Sequence, residues 1–571
     1  MIGPRTEFGQ FTILSRHFYG RLFRNETVDF EDQMKEKLYV ALTLLAVFFA
    51  WASWLLLFKY HFVADIDRSW QEKAYVFTLM MLVFALITLL EWDILFPDRQ
   101  DFFNLTPLPV RMRTVFAAKL ASFVLFVGMF SVAMMSISAV LFSMYLTEWR
   151  ANSLVLAVRY VISHILAGFA ANFAVFFSFV FLQFLLMAVL PLGLYRRISL
   201  AVRFVLIAVL VFVLLSFVAA PSILGRSLHD LGGVKENGDP FLFRFPPLWF
   251  VGLYEVLLGT ADAVFAAQAR TAGLSMGLAL LAFAASSALC YHRHLRKTLE
   301  VSKAGPAFFR LREGWRRILA STVLRAPEER AVYGFFSDTL KSNSKHRTSL
   351  AHYLAVGAAV IMVVAVAYRQ AFRMLTPDNV YLLAQPLLLA FAVIAGARVI
   401  VDQPAAPEAN WIFRMTETPR TAKYLAGLKK AVFIKLILPL FVGVFIVHVL
   451  LWDAGTAFLH SAFGLVISGL AVGGAFYHYR KVPFACTYAP GKLKLQFTAF
   501  PAFLGLLLTM TALTNLEKGI LAAPRKGLVF LAVAAGLWLA LREGNRRFYG
   551  HTPLLYEDEP EAAMIELPEG W

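Results

Sequence analysis

A proline followed by spaced cations occurs twice in this chain and is its clearest candidate for a binding role. Pro109-Val110-Arg111-Met112-Arg113 has Lys119 ten residues beyond its proline, and Pro419-Arg420-Thr421-Ala422-Lys423 has Lys429 at the same offset. An X-Pro step marks a helix boundary, so each cation group stands at the mouth of the apolar run that follows. Such a segment suits a groove on a peripheral protein and equally the phosphates of a lipid surface. Bond-breaking chemistry has less to work with. The nearest approach to a phosphate loop, Pro490-Gly491-Lys492-Leu493-Lys494, lacks the upstream glycine and the hydroxyl that would hold Mg²⁺. HExxH is absent from the sequence. Its two cysteines, Cys290 and Cys486, make neither a disulfide framework nor a zinc site. No enzymatic activity and no metal are expected of this chain. Ionisable groups in apolar stretches are few. Glu91 and Asp93 stand near one end of the second apolar run, and His164 and His448 stand singly, read as hydrogen-bonding partners between helices in preference to proton relays.

The elements that must position these residues follow from composition. Of 571 residues 59% are hydrophobic and only 16% charged, with a mean hydropathy of +0.65, against about 45–50% and about 25% in soluble domains. The excess is gathered in runs of roughly 20 residues, the length of helix that crosses a hydrocarbon layer of about 30 Å. The fold class expected is all-α, a polytopic membrane protein of about twelve transmembrane helices. They are expected near 38–58, 74–95, 116–145, 154–190, 200–224 and 270–291, then 350–372, 380–400, 431–452, 460–478, 497–515 and 526–541. The first 37 residues are polar and mixed in charge, unlike a cleavable signal peptide, so the first span is expected to direct its own insertion. Lys plus Arg number 39 on the side of both termini against 14 on the other, with Lys435 inside a span. That asymmetry places both termini and the basic 292–349 connector in the cytoplasm, and it accounts for the +17 net charge without invoking nucleic acid.

The two proline segments fall after the second and eighth spans, on the same side and in the same order. A second correspondence precedes the first and seventh spans. Phe11, Leu14, Phe18 and Leu22 recur at helical spacing among Arg16, Arg21 and Arg24, and a similar amphipathic stretch runs through Phe335, Phe336, Leu340 and Lys341. Two parallel six-span repeats are therefore expected, at 1–291 and 331–545, joined by a basic linker at 292–330 and followed by a solvated acidic tail at 546–571.

At these residues the sequence resembles the permease subunit of ABC exporters of the type-2 permease superfamily. The resemblance rests on the two amphipathic helices and on the first proline loop, which reads Asp98-Arg99-Gln100-Asp101-Phe102-Phe103-Asn104-Leu105-Thr106-Pro107-Leu108-Pro109-Val110-Arg111, with Arg113 and Lys119 beyond. It implies that Asp98, Asp101, Phe102, Phe103, Pro109, Arg111, Arg113 and Lys119 form a coupling loop on which a separate ATPase docks. Arg414, Pro419, Lys423 and Lys429 would form a second, through the stretch from Trp411 to Lys423. ATP and Mg²⁺ would then be bound by that partner, with no cofactor in this chain, and one chain with two loops would take two ATPase copies in a bacterial cytoplasmic membrane. The resemblance also implies a short extracytoplasmic gate helix between the fifth and sixth spans. Pro246-Pro247 can open one, with Trp249, Phe250 and Tyr254 on its apolar face; an interfacial helix at headgroup depth is the alternative. Only about ten residues separate the fifth and sixth spans of the second half, so a symmetric gate is not expected. A twelve-span ion-coupled carrier is the other function considered.

Overall fold

A computed structural model describes residues 7–22, 31–62, 66–90, 92, 110–147, 154–219, 231–297, 318–368, 375–405, 410–415, 421–486, 495–551 and 554–555. The described residues are helical apart from turns and one isolated bridge between Lys481 and Leu555. A chain whose apolar runs face hydrocarbon must satisfy every backbone N–H and C=O within itself, and a helix does so locally. Among the described residues, eleven helices are long and apolar enough to cross a membrane. The remaining expected span, 497–515, lies inside a further helix, Leu495–Ala522, part of whose side chains fall outside the described residues. The protein is an all-α polytopic integral membrane protein.

The chain divides into two compact units, one of Met1–Asn25 with Asp29–Lys303 and the other of Ala304–Trp571, with which Glu26–Val28 is grouped. The first holds α1 (Glu7–Leu22), α2 (Glu31–Leu57), α3 (Trp70–Leu90), α4 (Met112–Thr147), α5 (Leu154–Val189), α6 (Leu192–Ala219), α7 (Pro246–Leu258) and α8 (Ala263–Lys297). Helices α3, α4, α5 and α8 enclose an aromatic core that includes Phe77, Phe84, Phe123, Phe142, Phe176 and Phe184. Outside it, α2 turns Leu44, Val47, Trp51, Trp54 and Leu55 outward, the surface a lipid solvent takes.

The amphipathic helix α1 packs on the start of α4. Leu14 and Phe18 are buried against Val115 and Ala118, Ser122 Oγ donates to the Ser15 carbonyl at 2.8 Å, and Lys119 Nζ lies 5.5 Å from the Phe18 ring centre. One face of α1 thus meets protein, while Phe8 on another face is 78% exposed.

The second unit holds α9 (Pro327–Ser342), α10 (Ser344–Ala367), α11 (Val380–Asp402), α12 (Thr421–Val432), α13 (Leu438–Val449), α14 (Ala454–Ala475), α15 (Leu495–Ala522) and α16 (Arg525–His551). Phe433–Ile437 joins α12 to α13 as one wide π turn. Pro439 explains it, because proline donates no hydrogen bond and crowds the carbonyl four residues back. The amphipathic α9 packs on α12, where Lys430 Nζ reaches Glu329 Oε2 at 2.7 Å and the Val323 carbonyl at 2.8 Å. Helices α15 and α16 are separated by Ala523 and Pro524 alone, so this unit has no counterpart of α7 at that connection.

The approach of α9 to α12 depends on Gly427, where a Cβ would stand 2.8 Å from Glu329 Cα and 3.0 Å from its carbonyl oxygen. Backbone cannot yield as a side-chain tip can. Gly427→Ala is expected to push the helices apart and cost about 1–3 kcal/mol. Gly443→Ala, which meets nothing within 4 Å, should stabilise its helix by about 0.5–1 kcal/mol. Melting temperatures of the two purified variants check this, and equal effects at both positions would refute it.

Candidate functional site

Helix α7 begins and ends for identifiable reasons. Phe245 is extended (φ −100°, ψ 103°) and Pro246 and Pro247 occupy the first turn, where missing N–H groups cost nothing. Gly259 ends it in the left-handed region, at φ +86°. Its N–H donates to the Val256 carbonyl at 2.9 Å and that of Thr260 to the Glu255 carbonyl at 3.0 Å, a Schellman closure. Arg159 of α5 completes the end. Its Nε donates to the Leu257 carbonyl at 2.7 Å, and its Nη2 lies 2.8 Å from where a Cβ on Gly259 would stand. A cation there also complements the negative end of the helix dipole.

Pro247, Leu248, Phe250, Val251, Gly252, Tyr254 and Glu255 face the bundle, against α3, α5 and α8. Gly252 permits the approach of α8, since a Cβ there would stand 2.9 Å from the Phe265 carbonyl oxygen. Of the expected gate residues, Phe250 and Tyr254 are fully buried. Trp249 is half-buried and donates its indole N–H to the Phe243 carbonyl at 2.9 Å. Glu255, absent from the expected apolar face, lies on the buried one.

Glu255 meets Lys73 from the first turn of α3, with Lys73 Nζ 2.5 Å from Glu255 Oε1. Both side chains are almost completely buried. Desolvating two ions costs several kcal/mol each, so such a pair persists only when every charge-bearing atom has a partner. Here that condition is met. Thr260 Oγ1 donates to Glu255 Oε2 at 2.9 Å, and Lys73 Nζ sits 4.6 Å from the Tyr254 ring centre and 5.3 Å from that of Tyr160 on α5. A desolvated cation over such a ring gains about 2 kcal/mol. One residue earlier, Glu72 accepts from Tyr60 Oη at 2.7 Å and pairs with Lys59. Beneath Tyr254, His164 of α5 packs among Phe77 and Phe142, and its Nε2 lies 3.2 Å from Ser138 Oγ of α4, which also meets Ser53 of α2 at 2.8 Å. His164 therefore bridges helices through a hydrogen bond, as its surroundings in the sequence led us to expect.

A second ion pair fastens the flanks of α7. Lys235 Nζ lies 2.6 Å from Asp262 Oδ2 and 3.9 Å from the Phe265 ring centre. Partial burial raises the Asp262 carboxyl, but the Lys235 ammonium and the backbone N–H groups of Val264 and Phe265 outweigh it and hold it below the usual range. Helix α7 is thus tied in its last turn by both Arg159 and Lys73, and across the connectors around it by Lys235.

Of the expected coupling residues, Asp98, Asp101, Phe102, Phe103, Pro109 and Pro419 lie outside the described residues, as do the side chain of Arg414 and the Pro490–Lys494 fragment. Arg111 and Arg113 are exposed where α4 begins, and Lys423 is exposed in the first turn of α12. Lys119 is different. It is buried beneath α1 against Phe18 and presents no docking surface. Lys429 is half-buried, one residue from the Lys430 that holds α9.

No protein-family model, curated protein or solved structure matches this chain. The arrangement around α7 is accordingly read from its own geometry. Sequence reasoning missed Lys73, Glu255 and Arg159 because charges flanking an apolar run look like solvated loop. The available signal was that an ionisable residue close to a membrane span demands a named partner.

Removing one member of a buried ion pair strands the other, whereas removing both leaves an apolar contact. Lys73→Met is expected to cost about 3–5 kcal/mol. Lys73→Met with Glu255→Met should recover most of that loss. Thermal unfolding of the two proteins in detergent decides, and equal destabilisation by single and double substitutions would mean that the pair does not hold α7.

Proposed function

We propose that this chain is the membrane-spanning permease of an export system driven by a separate ATPase, which docks on the cytoplasmic segments ahead of α4 and α12. One observation carries the reading. In each unit the amphipathic helix preceding the first span packs on the very helix that the proline-and-cation segment leads into, α1 on α4 and α9 on α12. Force applied at such a segment reaches both a membrane-surface helix and a spanning helix, which a loop merely resting on lipid does not require. The exposed Arg111, Arg113 and Lys423 are the groups offered to the partner. ATP and Mg²⁺ belong to that partner, and two docking segments in one chain call for two ATPase subunits.

In this reading α7 is the extracytoplasmic gate of the first unit, latched by Lys73–Glu255, and the second unit contributes no equivalent helix. Asymmetry between the halves then extends to docking, since Arg111 and Arg113 correspond to Thr421 and Lys423 when the prolines are aligned.

Arg111→Glu with Arg113→Glu and Lys423→Glu should leave the protein in the membrane yet abolish its stimulation of the partner's ATP hydrolysis. Unchanged stimulation and export would reduce these segments to lipid anchors. Native mass spectrometry of the complex is expected to find one permease chain with two ATPase subunits, against two and two if one segment per chain docks. Orientation is checked on a background without Cys290 and Cys486. Asn237→Cys and Ala454→Cys should react with an impermeant reagent from outside, and Lys341→Cys and Arg546→Cys only after permeabilisation; the reverse pattern would place the docking segments on the wrong side.

A further inference from the structure

Three titratable groups meet inside the second unit, and their hydrogen bonds leave nitrogen lone pairs open. His460 of α14 places Nδ1 2.5 Å from Glu517 Oε1 of α15. His448 of α13 lies tilted against His460, ring centres 4.7 Å apart, with Trp452 at 4.4 Å from the first and 5.4 Å from the second. His448, His460 and Glu517 are 5%, 1% and 1% exposed. His448 Nδ1 faces the Val444 carbonyl at 2.8 Å, and a carbonyl only accepts, so the proton of the neutral ring sits on Nδ1 and its Nε2 bears a lone pair. His460 Nδ1 donates to the carboxylate, and its Nε2 is likewise a base. Both Nε2 atoms and Glu517 Oε2 are buried without a hydrogen-bond partner.

Most buried polar atoms are satisfied, and here three atoms of one contacting cluster are not. Two open basic nitrogens beside a carboxylate oxygen describe a place prepared for an added positive charge. Among the described residues no three His, Cys, Asp or Glu groups converge closely enough to hold a metal ion. We propose that His448, His460 and Glu517 form an exchangeable proton-binding site: one proton lies between His460 and Glu517, and a second enters at an open Nε2, its charge offset by the carboxylate. Among the described residues, the other charged groups at this end of the unit are Asp453, which caps α14 through the Thr456 N–H, Lys518 facing Asp378 at 3.9 Å, and the exposed Arg525 and Lys526 at the start of α16. At that same end Trp452 closes over the cluster with its indole N–H on the Leu375 carbonyl. The site goes beyond the permease reading and does not rest on it.

Trp452 supplies the test, because an imidazolium in contact quenches indole emission far more than a neutral imidazole does. The full-length protein in lipid nanodiscs is titrated from about pH 9 to about pH 5, the interval that brackets histidine. The emission of Trp452 is obtained as wild type minus Trp452→Phe, and independently by comparison with His448→Gln/His460→Gln, which keeps the reporter and removes the quenchers. Emission is expected to fall at least twofold along a single proton-binding curve. Glu517→Gln should move the midpoint to lower pH, because it removes the charge that favours the imidazolium. A Trp452 signal that stays flat across this interval overturns the proposal and makes the cluster structural; so does a midpoint unmoved by Glu517→Gln in a protein of unchanged circular dichroism. Either result leaves ATPase docking untouched.

Discussion

The placement of the short helix α7 depends on a buried charge finding its partner. In hydrocarbon a backbone N–H or a side-chain ion has no water to fall back on, so each must find its partner within the chain. The Lys73–Glu255 pair meets that demand on every atom, with Thr260 on the second carboxylate oxygen and two tyrosine rings around the ammonium. Because Glu255 lies on α7 and Lys73 on α3, the pair also decides where the short helix sits. Such a pair adds little net stability over an apolar contact, but it disfavours any arrangement in which one charge loses the other.

That constraint organises the first unit around α7. A 13-residue helix is too short to span a bilayer, and alone it would be indifferent to depth and angle. Its termini are fixed by Pro246, Pro247 and Gly259, its C-terminal carbonyl by Arg159, and its last turn also by the charge of Lys73. The second unit solves the same problem of buried charge differently. Its pair joins α14 to α15 directly, and its partners are histidines with open nitrogens in place of a saturated lysine. One arrangement is closed to exchange and the other is open to it, and the distinction lies in unpaired atoms, since burial is similar in both.

Much of the architecture was legible in the sequence. Apolar run length alone gives the spans, because hydrocarbon thickness converts directly into residues of helix. The helix at 246–258 was legible from two prolines and a glycine, and the amphipathic α1 from Leu14 and Phe18 at helical spacing, the residues now found buried against α4. The burial of Glu255 on α7 was not legible, since a period of 3.6 places a residue on a face without naming what it meets there. Lys119 illustrates the same limit. Its spacing from Pro109 matches that of Lys429 from Pro419, yet it is buried under Phe18 and cannot serve the docking role that its position implied.

The sequence by itself determined that the chain lives in a membrane and roughly where it crosses. These are properties of composition and period, which survive any arrangement of the helices. Only the tertiary structure decided which charges meet. Lys73 and Glu255 are 182 residues apart and His460 and Glu517 are 57 apart. No local rule couples residues at such separations. Hydrocarbon on the outside and aromatic packing within leave each charge few places to go, and the fold is the arrangement that brings these particular ones together.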